Sequence, residues 1–294
     1  MPSPDLSLFF DFVHAKSIEP ADGHLKLVTF PDGFSCYTHT SVWETEYIYN
    51  EVCVKQEYLR HGLTLEGAPC VFDVGANIGM FTLFVKAKNP RAVVHAFEPI
   101  QDTYDVLRRN VELHRLTEVY THNIALGSQT AAQRTFTYYP NMAGNTTATP
   151  AIKETLRQLM DTEGSKALMD QFFEAETEGG EALVEQFFEA ETRIAPVRTL
   201  SSILDEQALP AIDFLKIDVE GDELAVLQGI AREHLTNIWQ IVIEAHTPEI
   251  THKVCALLTG TGFKVVSDAG LASPAGISNV YAINEVIPKK RTHG

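Results

Sequence analysis

The sequence predicts an α/β fold in which a mostly parallel sheet carries helices on both faces. Three observations carry that expectation. The first is Val71-Phe72-Asp73-Val74-Gly75-Ala76-Asn77-Ile78-Gly79-Met80-Phe81-Thr82, a short apolar run that ends in an acid and enters a helical pattern through a glycine turn. The second is Ala92-Val93-Val94-His95-Ala96-Phe97-Glu98-Pro99, another apolar run that also ends in an acid. The third is the alternation of strand and helix patterns from residue 70 onward, which a parallel sheet with crossover helices satisfies.

Residues 1–68 alternate short apolar and turn-like segments, with a hairpin at Pro31-Asp32-Gly33 and a helix over 45–60,. They are expected to form an N-terminal layer over the cleft of a domain spanning 69–294. In that domain strands are expected at 70–74, 92–98 and 119–126, with helices at 78–88 and 101–114. The pattern resumes with a strand at 213–219, a helix at 222–230, a strand at 238–245, a helix at 249–259 and strands at 263–267 and 277–283.

Between the two halves lies sequence of another kind, an insertion over about residues 140–193. It follows an exposed-strand pattern at 134–139 and begins with the polar loop Pro140-Asn141-Met142-Ala143-Gly144-Asn145-Thr146-Thr147. Residues 152–192 are helical in composition, and Gln171-Phe172-Phe173-Glu174-Ala175-Glu176-Thr177 recurs as Gln186-Phe187-Phe188-Glu189-Ala190-Glu191-Thr192. The Glu178-Gly179-Gly180-Glu181 break favours two short helices over one long one. Their acids read as a solvated face, but the paired phenylalanines need burial, which a lid over the cleft would provide.

The glycine turn has a chemical reading. Glycine lets backbone approach a ligand closely and adopts positive φ, and Asn77 is among the few other residues that tolerate the left-handed region. The spacing Asp-x-Gly-x-Asn-x-Gly is not the G-x-G-x-x-G of a dinucleotide fold, and no Walker lysine follows it. Alone, Asp73 or Glu98 would only cap the next helix. Together, with one glycine turn between them, they predict a nucleoside site in which a carboxylate accepts the ribose hydroxyls.

Bulk properties narrow the partners. The chain of 294 residues has 23 basic against 39 acidic side chains and a formal charge of −16, which argues against nucleic acid and anionic membranes,. Cys36, Cys53, Cys70 and Cys255 are scattered without a C-x-x-C pair, so reduced thiols, a cytoplasmic location and no zinc site are expected,. No apolar run reaches the ~20 residues of a membrane span.

Four ordered motifs resemble the FkbM family of S-adenosylmethionine-dependent methyltransferases: Asp73-Val-Gly-Ala-Asn-Ile-Gly79, Ala96-Phe-Glu-Pro99, Asn123-Ile-Ala-Leu-Gly127 and Leu215-Lys-Ile-Asp-Val-Glu-Gly221,. Tyr58-Leu-Arg-His-Gly62, Phe81-Thr-Leu-Phe-Val85 and Tyr138-Tyr-Pro-Asn-Met-Ala-Gly-Asn145 are similar to O-methyltransferase domains embedded in polyketide and peptide synthases. The resemblance implies a class I methyltransferase fold, a Rossmann-like seven-stranded sheet whose last strand runs antiparallel, and S-adenosylmethionine as cofactor. It implies that Asp73, Gly75, Asn77 and Gly79 line the methionine and ribose portion, that Glu98 binds the ribose hydroxyls and that Ala125 or Leu126 lies beside the adenine. Ile78, Pro99 and Asp218 complete the expected cofactor-binding set. Common class I methyltransferases have glycine where this chain has Asn77.

In such a fold the strand 213–219 lies between the cofactor strand and the strand 238–245, so their carboxyl ends converge on one crevice. Asp218 and Glu220 are thereby expected near Glu244 and His246, groups whose burial demands pairing. Methyl transfer from a sulfonium needs no electrophilic help, but an alcohol acceptor must lose a proton. His246 is the expected general base, with Glu220 or Glu244 orienting its ring. The alternative for His246 is a plain helix-entry residue, and the alternative for the cluster is a structural ion-pair network. A divalent metal with Asp218 as first ligand is the rival activator, and a metal-free reaction is the favoured reading. Tyr139, Asn141, Asn145 and Thr146 are expected to meet the acceptor.

The expected activity is O-methylation of a polyketide or polyketide-peptide hydroxyl, free or tethered to a carrier protein, with synthase domains as neighbours. Methylation of a free metabolite or sugar hydroxyl is the runner-up, and an inactive cofactor-binding protein the reading from another class. A tethered acceptor would favour a basic docking patch, for which Arg108, Arg109, Arg115 and Lys289-Lys290-Arg291 are candidates,.

Overall fold

The first described elements are three short antiparallel strands, β1 (Ser17–Pro20), β2 (Lys26–Thr29) and β3 (Ser35–Thr38). They belong to a computed structural model that describes residues 13–162, 180–209, 211–268 and 276–286. The β2–β3 turn runs through Pro31-Asp32-Gly33 as expected, and Asp32 accepts the Phe34 N–H at 2.9 Å. Helix α1 (Val42–Tyr49) starts at Ser41, whose hydroxyl accepts the Glu44 N–H,. The continuous helix expected over 45–60 is corrected. The chain passes into a π-helical turn at Asn50–Val54 and, after Gln56 at φ +51°, a separate 3₁₀ turn at Glu57–Leu59,. Asn50 is the reason: its amide Nδ2 donates to the carbonyls of Glu46 and Val13 while its Oδ1 accepts the Val13 N–H, which ties the helix to an upstream segment and disturbs the regular ladder.

The main sheet is built from β4 (Cys70–Val74), β5 (Val93–Phe97) and β6 (Val119–His122), with α2 (Met80–Lys88) and α3 (Gln101–Leu113) as crossovers. The expected strand at 119–126 is corrected as well, because it divides after His122. The amide of Asn123 donates to the carbonyls of Glu98 and Pro99, at 3.0 and 3.1 Å, and turns the chain out of the sheet. Ala125–Leu126 (β7) then joins a second sheet with β8 (Ala131–Tyr138) and β9 (Glu191–Arg198), in the order β7-β9-β8.

Between β8 and β9 come the short helices α4 (Lys153–Met160) and α5 (Gly180–Phe187). The first Gln-Phe-Phe copy lies outside the described residues. The second does not stay helical, since α5 ends at Phe187 and β9 starts at Glu191. Tyr138 pairs with Glu191 in an antiparallel ladder, so residues 139–190 are one long excursion from a hairpin.

The chain returns through α6 (Leu200–Gln207), β10 (Ile212–Ile217), α7 (Glu223–Gln228), α8 (Arg232–Leu235), β11 (Ile238–Ala245), α9 (Pro248–Gly260), β12 (Phe263–Asp268) and β13 (Ser278–Asn284). The strand order is β12-β13-β11-β10-β4-β5-β6, with β13 antiparallel to both neighbours and the five strands from β11 to β6 parallel. This is the expected Rossmann-like sheet with a reversed last strand.

Alternation along each strand splits the core in two. Phe72, Val74, Leu215, Ile217, Ile241 and Ile243 face one layer with α6, α7 and α9, while Val71, Phe214, Val242 and Tyr281 face α2 and the N-terminal segment. Period two also places Asp73 and Lys216 on the second face, where they stand opposite each other in register. Among the described residues no helix is long and apolar enough to cross a membrane.

Candidate active site

The carboxyl ends of β4, β5, β10 and β11 open on a cavity of ≈ 230 Å³. Its floor is the glycine turn. Gly75 has φ +79°, and a Cβ there would overlap the backbone carbonyl of Asp218, so only glycine lets the ends of β4 and β10 close up,. The N–H groups of Gly75 and Ala76 donate to the Phe97 carbonyl at 3.1 and 2.9 Å, and Asn77 takes the left-handed conformation at φ +49°. Asn77 leaves its Oδ1 buried without a partner in the cavity wall, an acceptor ready for a ligand,.

Glu98 faces this turn. Its two carboxylate oxygens accept the N–H groups of Asn77 (3.0 Å) and Ile100 (2.9 Å), which fixes the side chain and leaves lone pairs for a diol,. Burial pushes its carboxyl up to about 7, against the pull of those two N–H groups. Phe97, Ile124, Ala125, Leu126 and Phe136 make an apolar slot beside it. Orphan acceptor, diol-ready carboxylate and slot together fit a nucleoside.

Two of the expected cofactor residues do not line the cavity. Asp73 is fully buried behind the wall, where it accepts the Thr82 hydroxyl at 2.7 Å and lies 3.3 Å from the Lys216 ammonium. Gly79 also does not line the cavity; it packs against Leu107 of α3. Gly75, Asn77, Ile78, Glu98, Pro99, Ala125, Leu126 and Asp218 all line it.

At the other end the ionisable residues converge as expected, though with different partners. His246 leaves β11 just before Thr247, which caps α9 through the Ile250 N–H. Its ring is buried between two carboxylates, with Nε2 2.8 Å from Glu220 and Nδ1 2.8 Å from Glu223. Burial alone would lower its pKa, but Glu220 and Glu223 outweigh burial and hold it well above the usual imidazole range. Glu220, in the left-handed region at φ +55°, also meets the Lys153 ammonium. Burial would raise its carboxyl, yet His246 and Lys153 bring it down to about 2.

Glu244 stands 3.8 Å from Nε2, so the orienting contact on the far nitrogen belongs to Glu223. The Tyr58 hydroxyl lies 3.1 Å from Glu244 and 3.2 Å from Asp218. One phenolic hydrogen serves only one of the two acids at a time, and burial and then Asp218 push the Glu244 carboxyl up to about 8. Lys216 neutralises the other, at 3.4 Å from Asp218 and 2.7 Å from the Gly75 carbonyl. Glu44 and Glu51 also stand in the wall, where burial pushes the first carboxyl up to about 7 and the second well above the usual carboxylate range. Asp218, Glu244 and His246 each offer a ligand atom within 4.8 Å of the others, a set able to take a divalent cation,.

Of the expected acceptor residues, Asn145 and Thr146 line the cavity and Tyr139 and Asn141 do not. The Asn141 amide donates instead to the Gln186 carbonyl at 3.0 Å, and Tyr139 is buried against Phe188, 6.1 Å between ring centres. The apolar wall comes from a segment to which the sequence had assigned no site residue. Trp43, Tyr47, Ile48, Glu51 and Val52 recur at helical spacing along α1 and the π-turn, with Met142, Leu156 and Ile277 opposite,. Trp43 stacks on Tyr47 and on Phe187 of α5, at 5.8 and 5.9 Å.

Tyr58, Lys153, Lys216 and Glu223 are further site residues to which the sequence reading gave no role. Lys216 had a signal, because a lone lysine inside an apolar strand must be paired. Of the expected docking residues, Arg108 and Arg109 lie 3.6 and 3.8 Å from Glu112 and Asp22, and residues 289–291 lie outside the described residues.

Comparison with known proteins adds three relatives. The family model for the methyltransferase FkbM domain matches residues 73–265. 31-O-demethyl-FK506 methyltransferase FkbM of Streptomyces tacrolimicus is 35% identical over 83% of this chain and 91% of its own length. Methyltransferase sdnD of Sordaria araneosa is 34% identical over 85% of this chain and 94% of its own length. AMB antimetabolite synthetase AmbE of Pseudomonas aeruginosa is 34% identical over 82% of this chain, which spans 12% of that much longer protein.

Proposed function

The chain belongs to the FkbM family of methyltransferases, and from that premise we propose that it methylates a hydroxyl oxygen of a polyketide or polyketide-peptide intermediate. Its cofactor is S-adenosylmethionine, which supplies an electrophilic methyl group on a sulfonium. Gly75, Asn77 and Ile78 would hold the methionine and ribose portion, Glu98 the ribose diol, and Ala125 and Leu126 the adenine.

The observation that carries the reading is His246, set between Glu220 and Glu223 where β10 and β11 open beside the glycine turn. With Nε2 unprotonated, the acceptor hydroxyl would give that nitrogen its proton as the O–CH3 bond forms and the S–CH3 bond breaks to leave a neutral thioether, while Glu223 on Nδ1 keeps the ring in place and stabilises the imidazolium,. The wall of Trp43, Tyr47, Ile48 and Val52 suits a chain-like acceptor. The name of the Streptomyces relative refers to an oxygen-bound methyl group, which supports O-methylation. The segmental match to a synthetase supports synthase neighbours and a carrier-tethered acceptor. Four free cysteines fit a reducing compartment such as the cytoplasm,.

A metal-assisted reaction is the second reading, favoured by the Asp218, Glu244 and His246 set. Labelled S-adenosylmethionine, offered with matched free, thioester and carrier-bound β-hydroxyacyl acceptors, tests the first. Label in a carrier-bound or free ether supports it, and label in none of them removes it. Turnover abolished by a chelator and restored by magnesium would install the metal reading instead.

A further inference from the structure

We propose that the Arg134–Asp222 pair reads the hydrogen-bonding edge of the cofactor's adenine, Asp222 accepting from the exocyclic amino group and Arg134 donating to the adjacent ring nitrogen. The inference rests on the placement of the base beside Ala125 and Leu126 proposed above.

The two side chains come from different elements to one end of the apolar slot. Alternation along β8 sets Arg134 and Phe136 on the same face of the strand, and both line the cavity,. The guanidinium carbon lies 6.0 Å from the centre of the Phe136 ring. Its Nη1 lies 3.8 Å from where a Cβ on Gly127 would stand, so the cation reaches the chain just past Leu126. Asp222, also in the cavity wall, faces it from the start of α7, with Nη2 of Arg134 2.8 Å from Oδ1 and 2.7 Å from Oδ2. The far end of α7 is fixed to the same strand segment. A Cβ on Gly229 would lie 2.0 Å from the Gly127 carbonyl oxygen, so only glycine lets the helix end and the end of β7 meet backbone to backbone,. The carboxylate is thereby set at a defined distance from the slot.

Both groups keep bonding capacity beyond their ion pair. Asp222 occupies the N-cap position of α7, where an aspartate ordinarily accepts a helix N–H, and its side chain makes no such bond,. One guanidinium nitrogen serves both carboxylate oxygens, so each oxygen retains a lone pair,. Among the described residues no hydrogen bond uses Nε or Nη1 of Arg134. The side chains are 32% and 15% exposed, which makes the pair part of the wall rather than of the outer surface. An apolar slot holds a flat ring by its faces and cannot tell one base from another. The edge can, because adenine presents an amino donor next to a ring-nitrogen acceptor, the complement of a carboxylate next to a guanidinium.

The test is a binding cycle read by calorimetry, with no methyl transfer involved. Wild type and Asp222→Ala are each titrated with S-adenosylhomocysteine and with its analogue carrying hydrogen in place of the exocyclic amino group. Wild type is expected to bind the first about tenfold more tightly, and Asp222→Ala to bind the two within about twofold, since removing either partner forfeits the same bond. The same cycle with Arg134→Met and the analogue having C–H in place of the ring nitrogen tests the donor. Equal losses for both ligands in Asp222→Ala, or a wild type indifferent to the amino group, overturn the inference. Glu98→Ala is the control for the placement beneath it: both ligands should weaken by the same factor, and unchanged affinity for both brings down the placement itself. Should Asp222→Ala fold poorly with Arg134 left uncompensated, Arg134→Met/Asp222→Ala removes both charges and is read in the same way.

Discussion

Lys216→Met is the most informative single perturbation of the cofactor half. The lysine side chain is 4% exposed and lies between Asp73 at 3.3 Å and Asp218 at 3.4 Å, with its third contact to the Gly75 carbonyl at 2.7 Å. Burial alone would lower its pKa, but the two aspartates outweigh burial and raise it. Truncation leaves two carboxylates facing each other across paired strands without a counter-ion, a loss of about 3–5 kcal/mol for breaking a buried pair. That is a large share of the ~5–15 kcal/mol that holds a domain together.

A group with a raised folded pKa stabilises fully below its unfolded value, about 10.4 for lysine, and the contribution fades only above that. The wild-type contribution is therefore constant between pH 5 and pH 9. In Lys216→Met the Asp218 carboxyl, already raised by burial, instead protonates on acidification, so the deficit should narrow as the pH falls. Urea unfolding followed by tryptophan fluorescence at several pH values reads both effects. Lys216→Met/Asp218→Asn should recover part of the loss. The variant should also bind S-adenosylhomocysteine at least about tenfold more weakly, about 1.4 kcal/mol, because the glycine turn loses a donor. A deficit under about 1 kcal/mol at pH 7, unchanged by acidification, would refute the account of this ion pair.

Three further outcomes are expected. His246→Gln should lower kcat by ~10²–10⁴ with cofactor affinity nearly unchanged, and since its pKa lies above the usual range the wild-type rate should climb with pH beyond about 6.5; stopped assays across pH 6–9 check both,. Glu98→Ala should weaken S-adenosylmethionine binding by about 1–3 kcal/mol in calorimetry, the cost of a poorly paired ribose diol, and equal affinity would remove Glu98 from the site. Trp43→Ala should raise KM for a chain-like acceptor more than it lowers kcat, since it removes wall area and stacking on Phe187 but no reacting group,.

The main sheet was legible because its strands are buried on both faces and write themselves as apolar runs: Cys70–Val74 and Ile238–Ala245 begin and end where the sequence placed them,. β9 was not legible, and Pro196 explains why. A proline argues against a strand interior, and here it is tolerated opposite the register shift between Ala131 and Arg134 of β8, a feature that exists only once the two strands are paired,. The same divide runs through the site. Asp218, Glu220, Glu244 and His246 gather because adjacent strands end together, which strand order alone dictates. Glu223 comes from a helix, Lys153 from the excursion and Trp43 from the N-terminal segment, and each reaches the cavity through packing that no local pattern encodes. Asp73 shows the converse, since its motif marked the turn that floors the cavity while its side chain points away to Lys216.

The pairing of Tyr138 with Glu191 makes residues 139–190 a cassette whose two splice points already lie side by side in one ladder,. Its length and composition can change in evolution, or be exchanged between relatives at the bench, without pulling on the strands of the main sheet. On the proposed function, such changes would alter the acceptor while the nucleoside half stayed fixed. A graft, however, inherits an obligation at the seam: it must bring a cation to the place of Lys153, whose ammonium meets the buried Glu220 carboxylate, or leave that charge with one partner fewer.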